Sequence, residues 1–204
     1  PGRILAGEVL FEGRDLLGLD GEELRRIRGK DIGLIVQNPR GALHPMLPIG
    51  RQIGNAFRAH TSASGAEGKA RAIDLLRRVG INDPERRADA FAHELSGGMA
   101  QRALISMALS SNPRLLIADE PTSGLDVTIQ AQFLDAMAGT VRDTGSAILL
   151  VTQDLGIIAN YCDRVLVLHG PPRYPGYYGQ LERQNREHRA WLRVGSEPGD
   201  GKLE

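Results

Sequence analysis

Three features of the sequence predict an α/β fold, a parallel sheet with an inserted all-helical segment. Continuous apolar runs at 32–36, 115–118, 147–152 and 165–168 alternate with helix-forming stretches, as strands covered on both faces do. Between 43 and 91 no run reads as a strand, so helices are expected to fill that interval. Three of the apolar runs stop on polar side chains, at Gln37, at Asp119 with Glu120, and at Gln153. Ligands of parallel sheets gather at the carboxyl ends of the strands.

In chain order, 7–11 reads as a short strand and Glu12-Gly13-Arg14-Asp15 as a turn. Leu24 and Ile27, three apart in a charged stretch, predict a short surface helix over 22–28. After the 32–36 strand, Asn38-Pro39-Arg40-Gly41 breaks the chain. A helix is expected at 49–60 and a polar loop at 61–66. A stronger helix spans 67–79, with Ala70, Ile73, Leu76 and Val79 as its apolar stripe and Gly80 as its stop. Another short helix is expected at 84–91. Ser96 is a good N-cap for the apolar helix at 99–109, which Asn112-Pro113 ends. Ile129, Phe133, Met137 and Val141 recur every four residues and predict a helix over 128–142. A last short helix is expected at 154–161.

Composition narrows the function. At 204 residues the chain is one domain, or one domain with a small subdomain. Hydrophobic residues make up 41% and charged residues 25%, a globular balance. Lys+Arg and Asp+Glu both number 25, and zero net charge argues against nucleic acid as a partner. The single cysteine, Cys162, allows no internal disulfide. The five histidines show no metal-ligand spacing. No apolar run approaches the ~20 residues that span a bilayer, and no signal-peptide pattern opens the sequence. Any membrane role is therefore expected to be peripheral, through a partner.

The densest chemistry lies between Leu95 and Asp126. Ser96-Gly97-Gly98 opens a helix, whose first N–H groups lack intrahelical partners and whose dipole is positive there. The apolar run at 115–118 delivers two adjacent carboxylates, Asp119 and Glu120, where magnesium and an attacking water can be held. An anion site beside a carboxylate pair points to phosphate chemistry.

At these residues the chain resembles the nucleotide-binding subunit of an ABC transporter, closest to the ATPases of dipeptide, oligopeptide and nickel importers. Leu95-Ser96-Gly97-Gly98-Met99-Ala100-Gln101-Arg102 resembles the signature motif, and 115–120 the Walker B strand. Gln37 resembles the Q-loop glutamine and Ser123-Gly124-Leu125-Asp126 the D-loop. Val151-Thr152-Gln153-Asp154-Leu155-Gly156 occupies the H-loop. The resemblance covers roughly 1–169 and its motif order is specific. It implies a P-loop NTPase-like sheet that uses ATP and Mg2+. Asp119 would hold the metal and Gln37 would sense it together with the γ-phosphate. Glu120 would act as general base or orient the water. Ser96, Gly97 and Gly98, with Gln101 in the same run, would meet ATP held by a partner subunit, and Asp126 would work across that interface. Residues 40–60 would face a membrane permease. The implied partners are a second ATPase subunit, in a homo- or heterodimer, the permease, and indirectly an extracellular or periplasmic substrate-binding protein. The implied location is cytoplasmic, on the inner face of the cell membrane.

The sequence departs from that family in two places. No Gly-x-x-x-x-Gly-Lys-Ser/Thr P-loop occurs in it; in the family that loop, with its phosphate lysine, lies upstream of the position of Pro1. No tight ATP binding is expected from this chain's own half-site, and loss of the P-loop strand is expected to leave an exposed sheet edge. Gln153 stands where the family usually has histidine, and glutamine cannot become a cation. A missing charge-assisted bond is worth roughly 1–2 kcal/mol, about tenfold in rate.

Four regions are expected: an incomplete catalytic core at 1–39, a helical subdomain at 40–95, a signature-to-H-loop core at 96–169, and a divergent Pro/Gly-rich tail at 170–204. The chain is expected to be an ATPase subunit, or a piece of one, that energises peptide or nickel import. The alternative is a degenerate subunit that lends its signature motif to a complete partner and hydrolyses nothing itself. An ABC-type head from a chromosome-organising protein is disfavoured, because the interval from Gln37 to Ser96 holds no sustained heptads.

Overall fold

A computed structural model of the chain describes residues 7–36, 39–123 and 125–166. The chain divides into two compact units, 1–151 and 152–204. The first unit opens on a hairpin. Strand β1 (Leu10–Phe11) pairs antiparallel with β2 (Arg14–Asp15). Glu12 and Gly13 between them have φ of 52° and 77°, the left-handed pair that a two-residue hairpin turn needs. The strand expected over 7–11 is thus confined to its last two residues, and half of the expected turn is a second strand. Helix α1 (Gly21–Ile27) follows, with Asp20 and Glu23 forming a reciprocal capping box.

After strand β3 (Ile32–Ile35) come four helices with no strand among them: α2 (Pro39–Ala42), α3 (Ile49–Arg58), α4 (Gly65–Arg78) and α5 (Pro84–Ala88). Ser64 and Glu67 make the capping box of α4, and Gly80, at φ 73°, follows its end. The buried face of α4 is Gly68, Ala72, Leu75 and Leu76, continued by Val79. Ala70 is exposed and Ile73 half-buried, so the expected stripe is rotated. The reason is a close helix crossing: a Cβ on Gly54 of α3 would lie 3.0 Å from the Gly68 backbone. Two residues without side chains centre the contact, and a count of apolar side chains does not see them. Helix α5 stops at Ala88, short of the 84–91 expected.

Helix α6 (Gly97–Ala108), strand β4 (Leu115–Asp119), helix α7 (Val127–Thr144) and strand β5 (Ala147–Val151) complete the first unit. The sheet order is β3-β4-β5, all parallel, with Leu34, Ile117 and Leu149 in one row. Side chains alternate across a sheet. On one face Ile35, Leu116 and Ala118 are buried, whereas Leu34 on the other is 58% exposed. Phe133, Met137 and Val141 of α7 are buried as the four-residue spacing predicts, joined by Leu134, and Ile129 is half-buried.

In the second unit, helix α8 (Leu155–Tyr161) is capped by Asp154, whose carboxylate accepts from the Gly156 and Ile157 N–H groups. The strand expected at 165–168 is not found among the described residues. Val165 and Leu166 have no ladder partner, and 167–168 lie outside those residues, as does the 170–204 tail.

Candidate functional site: a helix start beside a carboxylate pair

Strand β4 carries its apolar run into the sheet and delivers Asp119, exposed, and Glu120, half-buried, at its carboxyl end. Glu120 has φ 44°, a left-handed conformation that costs a side-chain-bearing residue about 1–2 kcal/mol. Its backbone is held on both sides. Its N–H donates to the Val151 carbonyl at 2.9 Å, and its carbonyl accepts from Ser123 N–H at 3.1 Å. The backbone thus turns out of the strand direction at Glu120, where the neighbouring β5 also ends.

Helix α6 begins at the same end. Ser96 caps it, its Oγ accepting from Met99 N–H at 3.3 Å, with Leu95 buried beneath. A Cβ added to Gly97 would meet nothing within 4 Å, so the space in front of the first turn is open; one on Gly98 would lie 3.1 Å from Ile129 of α7. Gln101, one turn further, is only 2% exposed, and its Nε2 donates to the Pro121 carbonyl at 2.8 Å. These contacts bring the opening of α6, the loop after Glu120 and the start of α7 together. Asp126 caps α7, its carboxylate accepting from Thr128 and Ile129 N–H at 3.1 and 3.0 Å.

The first unit therefore gathers Ser96, Gly97, Gly98, Gln101, Asp119, Glu120 and Asp126 at the carboxyl ends of β4 and β5. Gln153 is exposed and lies in the second unit, directly before the Asp154 cap. Gln37 lies outside the described residues.

Two arginines to which the sequence assigns no role tie α4 to α6 and to the turn after it. Arg102 donates from Nη1 to the Val79 and Gly80 carbonyls at 2.7 and 3.0 Å, a cation on the C-terminal end of α4. Arg71 donates to the Ser110 carbonyl and to Asn112 Oδ1, and lies over the Phe57 ring. Burial pushes its guanidinium pKa down, partly offset by Asp74. The available signal was Gln101-Arg102 inside an otherwise apolar helix.

The opening of α6 fits an anion such as a terminal phosphate: open space, a capped 12-residue helix, and no side chain on Gly97. No cluster of three or more His, Cys, Asp or Glu side chains able to hold a metal occurs among the described residues. The exposed Asp119 carboxylate at the end of β4 fits magnesium held by one carboxylate with water and phosphate oxygens, its usual manner. The sequence supplies no P-loop to cradle those phosphates.

The ABC transporter family matches residues 3–123. The oligopeptide transport ATP-binding protein OppD of Bacillus subtilis (strain 168) is 48% identical over 195 residues, covering 89% of this chain and 54% of OppD. The peptidoglycan transport ATP-binding protein YejF of Agrobacterium fabrum is 47% identical, covering 80% of this chain and 30% of YejF. The chain thus spans about half the length, or less, of these relatives. Among solved structures, the ATP-binding cassette MJ0796, a dimer bound to ADP and Pi in a post-hydrolysis state, superposes with a TM-score of 0.66 at 28% identity, over 75% of this chain and 65% of that one. No helix among the described residues is long and apolar enough to cross a membrane. The match over more than half of its length, with motifs gathered at one end of a parallel sheet, makes this chain a member of the ABC transporter family of ATP-binding proteins.

Proposed function

We propose that this chain works in the ATP-binding subunit of a peptide importer and contributes two half-sites to two different nucleotides. The observation that carries the reading is the pairing of an open, capped helix start at Ser96-Gly97-Gly98 with the Asp119-Glu120 carboxylates on the loop that Gln101 holds. The names of the relatives favour peptides over nickel as cargo. The dimer of the MJ0796 cassette supports a second cassette subunit as partner. A permease in the cell membrane, with its substrate-binding protein outside, would complete the assembly and keep the chain on the inner face.

In this reading the first turn of α6 donates N–H groups to the terminal phosphate of ATP carried by the neighbouring subunit. Asp119 would hold magnesium through water in the chain's own half-site, and Gln37 would sense it together with the γ-phosphate. The bound ion would neutralise phosphate charge. Glu120 orients a water and accepts its proton. Gln153 donates a neutral hydrogen bond where a histidine could donate a charged one. Asp126 lies at the boundary between the two sites. The regions 1–39, 40–95, 96–169 and 170–204 keep the roles given above, with 40–60 toward the permease.

The helix opening at Ser96-Gly97-Gly98, capped and free of side chains at Gly97, is the half-site offered to the neighbour. ATP turnover of the chain, of a complete peptide-importer cassette, and of their mixture tests this. The mixture is expected to exceed the sum of its parts. Ser96→Arg, which fills the helix opening, is expected to abolish the gain. A mixture no faster than the complete cassette alone overturns the proposal.

A further inference from the structure

Gln101 is buried, yet among the described residues only half of its amide is used. Nε2 donates to the Pro121 carbonyl, and Oε1 has no hydrogen-bond partner among the described residues. Flipping the amide does not help, because the Pro121 carbonyl can only accept. A buried acceptor without a donor is costly, and an apolar residue of the same size would fill the space without that penalty. Packing alone therefore does not account for glutamine here.

Position does. Gln101 lies one turn after Gly97 on the same face of α6, directly beneath the open helix start. Its one bond reaches the residue that follows Glu120. The left-handed backbone of Glu120 is bracketed by three bonds: its own N–H to Val151, its own carbonyl from Ser123, and the Pro121 carbonyl from Gln101. Only the third comes from a side chain, and only the third joins the loop to α6.

We propose that Gln101 is a positioning residue, a strut that holds the Glu120 turn in its strained backbone and ties it to the opening of α6. Displacement of that opening is thereby passed to the carboxylate of the same chain. The structural part stands on geometry alone; the coupling to turnover rests on the function proposed above.

Hydrogen exchange on the full chain tests the strut. Gln101→Met keeps the volume, removes the donor and removes the idle acceptor, so its melting temperature is expected within about 2 °C of the parent. Exchange in the peptide covering 119–126 is expected to rise about tenfold, with the centre of α6 unchanged. Gln101→His retains an N–H of similar reach and is expected to keep the loop protected. Unchanged loop exchange in Gln101→Met, or a uniform rise across α6 and the loop with a matching fall in melting temperature, overturns the strut. In the mixture with a complete cassette, Gln101→Met is expected to lower the maximal rate severalfold with the KM for ATP unchanged; an unchanged maximal rate overturns the coupling. If the parent chain gives no gain in the mixture, the function proposed above fails, and the exchange result still decides Gln101.

Discussion

At the scale of single residues, Glu120 shows a side chain held in a strained backbone. Its φ of 44° is paid for by the bonds around it, and glycine would adopt that conformation without strain. Relief of about 1–2 kcal/mol is partly offset by the entropy glycine adds to the unfolded chain, about 0.4–1 kcal/mol. Glu120→Gly is therefore expected to raise the unfolding free energy by about 0.5–1 kcal/mol in urea titrations. A destabilised variant would mean that the Glu120 side chain itself, rather than the backbone bonds, supports the turn. Ser96 and Asp126 carry no such strain: Ser96 caps α6 as the sequence predicts, and the Asp126 carboxylate caps α7.

Among the elements, α4 shows what capping chemistry fixes and what it leaves open. The Ser64 N–H, and then its hydroxyl, hold Glu67 below the ordinary carboxylate range. A depressed carboxyl contributes stability that is full above its unfolded value, near 4.3, and lost as the pH falls through its lower folded value. Glu67→Ala is thus expected to lower the melting temperature at about pH 7, with the difference from the parent vanishing at about pH 2. A difference that persists in acid would assign the effect to helix propensity instead. The Gly80 stop was legible because it acts on its immediate neighbours, whereas Ser64, in the stretch expected as a loop, caps α4, which begins two residues before the expected start. The buried face was not legible, because Gly54 and Gly68 set it from two different helices. The hairpin at 10–15 was half legible: Glu12-Gly13 reads as a turn, but strands of two residues are too short for alternation to declare itself.

For the molecule as a whole, the three-stranded sheet is covered unevenly. Ile35, Leu116 and Ala118 are buried on one face, while Leu34 and Val36 are exposed on the other and β3 and β5 are both edges among the described residues. A parallel sheet ordinarily has both faces covered, and open edges invite pairing. The chain by itself is expected to associate with rising concentration in sedimentation velocity. Leu34→Lys, a charge on the exposed face of the edge strand, is expected to reduce that association with little loss of stability, because Leu34 is 58% exposed. Concentration-independent sedimentation of the parent would show that this face is not sticky.

The sequence by itself determined the alternation of strands and helices, the all-helical stretch between β3 and β4, and the identity of the chemical groups. Those are properties of periodicity, caps and motif spacing, which act along the chain. Tertiary structure decided that Gln101 spends its amide on Pro121, that Arg71 and Arg102 tie α4 to its surroundings, and that Glu120 is held left-handed. Each of these depends on a partner 20 or more positions away. No local pattern encodes such a contact; it exists only once the sheet has set the ends of β4, β5 and α6 side by side.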